Sequence, residues 1–199
     1  NMKKISMIVL TVLTLGMTSC DMDKMPYDAI PAEEALTTIV GFEEARAGIY
    51  SVYLGLTGGS YVLAPEVQAD AFNAVADFSN KYGELHRWTF ESTNSTVETI
   101  WANCYAAIGR ANFFIDGVGK IDENPEIELT EIQKQQINVY EGEAYFTRAY
   151  CYFYLATLFC RDYDVATAAN TPGLTLQVKY EPKLAATQYL GRSSLEDTY

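Results

Sequence analysis

Apolar positions recur with helical spacing in three stretches of the chain, and the segments between them break that rhythm. From Gly41 to Leu54, Phe42, Ala45, Ile49, Val52 and Tyr53 fall at steps of three and four, with Glu43 and Glu44 in the first turn, where the helix dipole favours acids. The pattern loosens from 56 to 90. Gly58 and Gly59 interrupt it, Val67, Ala71, Ala74 and Phe78 suit a further helix, and 79–88 reads as an ordered loop. The clearest helix starts at Ser95, where Ser95 and Glu98 have capping-box spacing. Val97, Trp101, Cys104, Ile108, Ile115 and Val118 then carry an apolar stripe towards Gly117 and Gly119. A polar loop at 122–128 leads to a second capping box, Thr130 with Gln133, and helical character runs on to about Arg161. Within it, Tyr145–Phe159 is apolar on nearly all sides, so other helices are expected to enclose it. Residues 170–189, with Pro172, Gly173 and Pro182, read as a connector, and Ser193 with Glu196 has the form of a helix start. That last helix would end within two turns without a partner for its apolar face, which suggests the N-terminal portion of a longer chain. The expected fold class is all-α.

The first 19 residues do not belong to that domain. Met2, Lys3 and Lys4 precede an uncharged, mostly apolar run from Ile5 to Gly16, the form of a secretory signal peptide. At 12 residues the run is too short to span a bilayer, which takes about 20. Met17-Thr18-Ser19-Cys20 resembles a bacterial lipobox, which makes Cys20 the expected lipidation site and first mature residue. Each buried methylene contributes about 0.8 kcal/mol, so two or three acyl chains anchor stably where one does not. Residues 20–31, with two prolines and alternating charge, read as a tether, and the folded domain is expected over 32–199. Asp21 and Asp23 resemble the surface-export signal of lipoproteins of the Bacteroidetes group.

Charge and cysteine content narrow the functions. The 199 residues carry 14 basic and 26 acidic side chains; without the signal, 12 face 26, a net of −14, which disfavours nucleic acid and anionic lipid as partners. Three cysteines besides Cys20 cannot form a closed disulfide set. Cys151 and Cys160 on one helix would lie about 13.5 Å apart on opposite sides, so buried thiols are expected. A single histidine, His86, with no Cys-x-x-Cys pair, no G-x-S-x-G elbow, no P-loop and no G-x-G-x-x-G, argues against a zinc enzyme, a serine hydrolase and a nucleotide binder. No metal, no cofactor and no catalytic residue is expected.

Taken in order, the motifs resemble the SusD/RagB family of nutrient-binding outer-membrane lipoproteins. After Cys20 and the Gly41–Tyr53 helix, Trp101–Asn112 resembles that family's Trp-x-x-x-Tyr-x-x-Ile-x-x-x-Asn helix. Gly142–Leu158 resembles its Glu-Ala-x-x-x-Arg-Ala-Tyr helix, with Glu143, Ala144, Arg148, Ala149 and Tyr150 in register. Gly173–Leu176 resembles a Gly-Val-Pro-Leu element with Thr175 in place of proline, and Arg192–Tyr199 an Arg-Ser-Ser-x-x-Glu-x-Tyr helix start. The resemblance implies a SusD-like scaffold of tetratricopeptide-like helix pairs with irregular loops. It also implies a cell-surface lipoprotein of the outer membrane that captures an oligosaccharide, or sometimes a peptide, and delivers it to a SusC-like TonB-dependent transporter.

Glu143 and Arg148 lie about 140° apart on a helix and suit ties to neighbouring helices, as do Trp101, Tyr105 and Asn112 on theirs. A sugar binder needs aromatic faces for pyranose rings and planar polar groups for hydroxyls. The loose 56–90 region holds both, and Asp70, Asn73, Tyr82, His86, Arg87 and Trp88 are the candidate ligand contacts, Trp88 being the one most suited to packing instead. Two other functions fit parts of the pattern. One is a tetratricopeptide-type adaptor with a peptide groove; the other, more remote, is a surface glycosidase. For the latter, acids adjacent in sequence such as Glu43 and Glu44 diverge, whereas hydrolysis needs carboxyls facing across about 5–9.5 Å.

Overall fold

Side-chain oxygens set where the helices begin. In the computed structural model, residues 32–75, 81–125, 127–182 and 189–199 are described; the signal segment 1–19, Cys20, the tether to 31, and Phe78 and Ser79 lie outside them. The helices are α1 (Ala32–Ala35), α2 (Ile39–Leu56), α3 (Ser60–Gln68), α4 (Gly83–His86), α5 (Ser95–Gly119), α6 (Glu131–Phe159) and α7 (Leu195–Thr198), with a 3-10 turn at Ala168–Asn170. Thr38 accepts the Gly41 N–H at the head of α2, and Thr130 with Gln133 forms the expected reciprocal box at the head of α6. Among the described residues there is no strand, only an antiparallel bridge between Pro172 and Ser194. The all-α expectation holds.

Three local readings shift. The cap of α5 is Asn94, not Ser95, and that of α7 is Ser194, not Ser193. The helix sought around Val67–Phe78 lies earlier: α3 buries Tyr61, Ala64 and Val67 and ends at Gln68. Its Pro65 has no N–H to give the Tyr61 carbonyl, and the Tyr154 hydroxyl from α6 donates to that oxygen instead. Tertiary structure thus repairs a helix that local propensity would reject.

The core has two parts, and α5 and α6 run through both. Around Phe42, Ile49, Ala111, Phe114, Ile137 and Ala144, α2 closes on the pair, with the Phe42 and Phe114 rings edge to face at 5.5 Å. Around Leu56, Tyr61, Leu85, Cys104, Ile108, Cys151 and Leu155, α3 and α4 close on its other end. Cys151 is a buried thiol, as expected, and so is Cys104, whereas Cys160 falls just past the end of α6 and is only partly buried. The Cys151 S–H donates to Cys104, and this bond with burial pushes the Cys151 thiol up, which disfavours a thiolate there.

The enclosure expected for Tyr145–Phe159 is incomplete. Phe146 and Phe153 are 59% and 63% exposed and stand at seven-residue intervals with exposed Ile132 and Val139 on α6. These positions turn away from the stripe Ile137, Ala144 and Cys151 that faces α5.

Charged and polar groups then lock the helices. Arg46 of α2 grips Glu143 of α6 through two bonds of 2.5 and 2.8 Å, its guanidinium lying over the Tyr140 and Tyr50 rings. Buried Asn112 of α5 receives 2.7 Å from Arg148 of α6 and donates to the carbonyls of Gln177 and Lys179 at 2.8 and 3.2 Å. Tyr105 donates to the Thr175 carbonyl, Tyr152 to that of Gln177, and Asp116 accepts the Tyr180 N–H. The connector is therefore a strap laid along the α5–α6 pair and pinned carbonyl by carbonyl, and Glu143, Arg148, Tyr105 and Asn112 are the ties the sequence suggested. Gly173 starts the strap where a Cβ would lie 2.1 Å from Thr198 Oγ1, so only glycine passes there.

Candidate functional site

The candidate residues gather where α3 and α4 end. Each of these short helices closes in the same way. Beyond α3, the Ala71 N–H reaches back to the Glu66 carbonyl at 3.0 Å over left-handed Asp70, φ 59°. Beyond α4, the Thr89 N–H reaches the Glu84 carbonyl at 2.9 Å and the Trp88 N–H that of Leu85 at 3.2 Å, over left-handed Trp88, φ 54°. This is the Schellman closure, in which the left-handed residue is usually glycine because a Cβ there costs roughly 1 kcal/mol or more. Here an aspartate and a tryptophan occupy it. Tyr82, φ 61° and in front of α4, is the other non-glycine residue with positive φ among those described.

Side chains hold the two closures together. The last carbonyls of α3 lack helical donors, and the site supplies them: His86 Nδ1 lies 3.1 Å from the Val67 oxygen and Trp88 Nε1 donates to that of Gln68 at 3.3 Å. A donating Nδ1 leaves His86 Nε2 as an acceptor in the neutral ring. Asp70 Oδ1 is 3.8 Å from His86 Nδ1, its side chain 84% exposed. The Tyr82 hydroxyl pairs with Ser60 Oγ at 2.9 Å, and Lys81 Nζ lies 5.2 Å over the Tyr82 ring.

Trp88 does not pack, contrary to its residue type. It is 65% exposed, with Phe90 at 6.2 Å beside it and Leu85, 2% exposed, anchoring the turn beneath. Asp70, His86 and Trp88 thus converge through the end of α3, and Tyr82 fixes the opposite end of the turn. Arg87 is exposed between His86 and Trp88. Asn73 is exposed three residues past Asp70 and makes no hydrogen bond to the described residues. Phe90, beside the Trp88 ring, belongs to this surface and was missed; only its aromatic type near the candidates could have flagged it. The arrangement is an open platform, and it can stack a flat apolar face and exchange hydrogen bonds around it. Among the described residues no group of three His, Cys, Asp or Glu could hold a metal ion, and no helix is long and apolar enough to cross a membrane.

Grooves also flank α6. One of about 280 Å³ opens between α2 and α6 beside Tyr50, Tyr53 and Phe146, and one of about 490 Å³ between α6 and the strap beside Arg148, Phe153 and Val178.

Residues 31–199 match the SusD-like family described as starch-binding and associating with the outer membrane. SusD-like protein P2 of Formosa agariphila is 26% identical over 209 residues, an alignment covering 98% of this chain and 38% of that protein. The chain thus spans well under half the length of the curated relative it matches.

Proposed function

From its membership of the SusD-like family, to which the chain belongs on a match from residue 31 to its last residue, we propose that the protein captures an oligosaccharide at the outer membrane without cleaving it. Trp88 offers the indole face on which a pyranose stacks. The Asp70 carboxylate and His86 Nε2 accept from hydroxyls, Asn73 and Arg87 line the approach, and Tyr82, its hydroxyl on Ser60, holds the far end of the turn. The acyl chains on Cys20 hold the domain to the membrane facing outward, and the captured glycan passes to a SusC-like TonB-dependent transporter.

The observation that carries this reading is Trp88 itself. An exposed indole in a left-handed closure forgoes the apolar burial that usually stabilises a tryptophan, and adds backbone strain. Glycine at 88 would lose the indole bond to the Gln68 carbonyl but relieve the left-handed strain, opposing effects of about 1 kcal/mol each, so the net cost to the fold is small and the exposed ring face is what the fold does not use. The test is calorimetric titration of wild type and Trp88→Gly with glycan pools that include malto-oligosaccharides, alongside thermal melts. The expected result is saturable binding by wild type and none by the variant, at a thermal midpoint close to that of wild type. Release of new reducing ends, or equal binding by Trp88→Gly, would sink the proposal.

A second reading has one observation in its favour. On the outer face of α6, Ile132, Val139, Phe146 and Phe153 are exposed, and the charge beside them, Glu143, is already paired with Arg46, which suits a protein segment as ligand. Binding of peptides in place of glycans in the same titration would select it.

A further inference from the structure

The cap of α5 is a point where sequence pattern and structure part. Ser95 with Glu98 offers a complete capping box, yet the helix begins one residue earlier, on Asn94. Helix stability alone does not explain the choice, because serine and asparagine cap about equally well. Asn94 brings a second function to the position. Its Oδ1 accepts from the N–H groups of Thr96 and Val97 at 3.0 and 3.3 Å, while its Nδ2 donates to Glu84 Oε2 at 2.9 Å.

Glu84 is where such a link matters. Its carbonyl takes the Thr89 N–H, the bond that spans Leu85–Trp88 and holds Trp88 in its left-handed turn. A strained conformation persists only where its surroundings over-determine it. At its two ends the turn is tied to α3, through the hydroxyl pair of Tyr82 with Ser60 and through the bonds of His86 and Trp88 to the last carbonyls. The Asn94–Glu84 bond ties its middle to α5, a 25-residue helix fixed along both parts of the core.

We propose that Asn94 is a positioning residue for the Trp88 platform, transmitting the fixed location of α5 through the Glu84 side chain to the turn that presents the indole. Asn94 touches no ligand. The inference rests on the glycan-capture reading for its consequence in affinity, but its structural half can be read without any ligand. The cap and the link separate chemically: aspartate caps as well as asparagine but has no proton to donate and repels the Glu84 carboxylate.

The experiment compares wild type, Asn94→Asp, Glu84→Ala and the double variant. Indole N–H resonances are recorded without ligand, with Trp88→Gly used to assign the Trp88 signal against that of Trp101. Malto-oligosaccharide affinity and the thermal midpoint follow. Asn94→Asp is expected to move the Trp88 resonance, leave Trp101 and the midpoint in place, and weaken the oligosaccharide roughly two- to fivefold. In the Glu84→Ala background the same substitution should change nothing further. An unmoved Trp88 signal in Asn94→Asp, or an equal effect with Glu84 absent, overturns the inference. Failure of wild type to bind any glycan overturns the capture reading instead, and the ligand-free resonances then still decide the role of Asn94.

Discussion

Replacing Asn112 by alanine probes the tie on which the most contacts converge. The side chain is fully buried and makes three bonds: two donated to the Gln177 and Lys179 carbonyls and one accepted from the Arg148 guanidinium. Neutral bonds contribute about 1 kcal/mol each and a bond to a charged partner about 1.5–3 kcal/mol, so the gross loss is about 4 kcal/mol. Some of this returns, because Arg148 keeps its 3.2 Å bond to the Val178 carbonyl and the strap oxygens near the surface can take water. A net cost of about 3 kcal/mol follows, which for a domain of this size lowers the midpoint by about 6–12 °C. Urea unfolding, checked for two-state behaviour, measures the cost. Tryptic cleavage after exposed Lys179 measures release of the strap, and should accelerate under conditions where the helices persist. Asn112→Asp separates charge from shape: its carboxylate pairs with Arg148 but turns oxygens towards two carbonyls, so it too should free the strap. A variant within 0.5 kcal/mol of wild type, with cleavage at Lys179 unchanged, would refute the reasoning about the strap, the error limit being about the usual scatter of such measurements.

Three shorter predictions concern other parts of the chain. Arg46 holds the Glu143 carboxyl below its ordinary value, mainly through their hydrogen bond, so the pair stabilises above the unfolded carboxylate value of about 4.3 and is lost as pH falls through the lowered folded value. Glu143→Gln should therefore cost about 1 kcal/mol at pH 7, discounted for its exposure, and progressively less in acid below about pH 4; a constant difference across that range would show that the pair does not carry it. Phe146→Glu with Phe153→Glu should suppress self-association of the 199-residue chain in sedimentation experiments without lowering its midpoint, and a wild type that is monomeric at every concentration tested would remove the basis for the prediction. Cys20→Ala should shift the protein from membrane to soluble fractions and abolish acyl labelling, whereas unchanged labelling would refute the anchor.

What the sequence showed best was what helical period and side-chain type decide locally. The apolar stripes placed α2, α5 and α6, and the Thr130–Gln133 box placed the start of α6 to the residue. The polar ties were legible too, because Glu143 and Arg148 cannot share a face of one helix and so must reach different neighbours. The failures have tertiary causes. Pro65 hid α3, since its repair comes from the Tyr154 hydroxyl, 93 residues away. The aromatic run 145–159 looked enclosed because composition does not say which side of a helix its neighbours occupy. The strap lacked a period because its backbone groups pair with side chains of α5 and α6, a pattern that leaves no mark in its own residues. At the candidate site the residue types were readable, but their convergence was not, because it depends on carbonyls at the end of a helix that the sequence placed too late.

The divergences from local rules at the site share one direction. Glycine is the residue that a Schellman closure calls for, and both closures lack it; Ser95–Glu98 is the capping box that α5 calls for, and the helix passes over it. Elsewhere the chain follows such rules closely, with glycine at Gly41 where a Cβ would lie 2.0 Å from the Ala35 carbonyl, and at Gly173 under Thr198. Among the described residues the non-glycine left-handed positions, Asp70, Tyr82 and Trp88, all fall between the end of α3 and the cap of α5, so that backbone strain is placed in one region, while the Pro65 break in α3 is repaired by Tyr154. Departures scattered by chance would fall across the helices as often as at one surface. Their concentration around an exposed indole, a carboxylate and an imidazole already bonded through its other nitrogen is what the proposed capture site requires, whereas selection for stability alone would remove it.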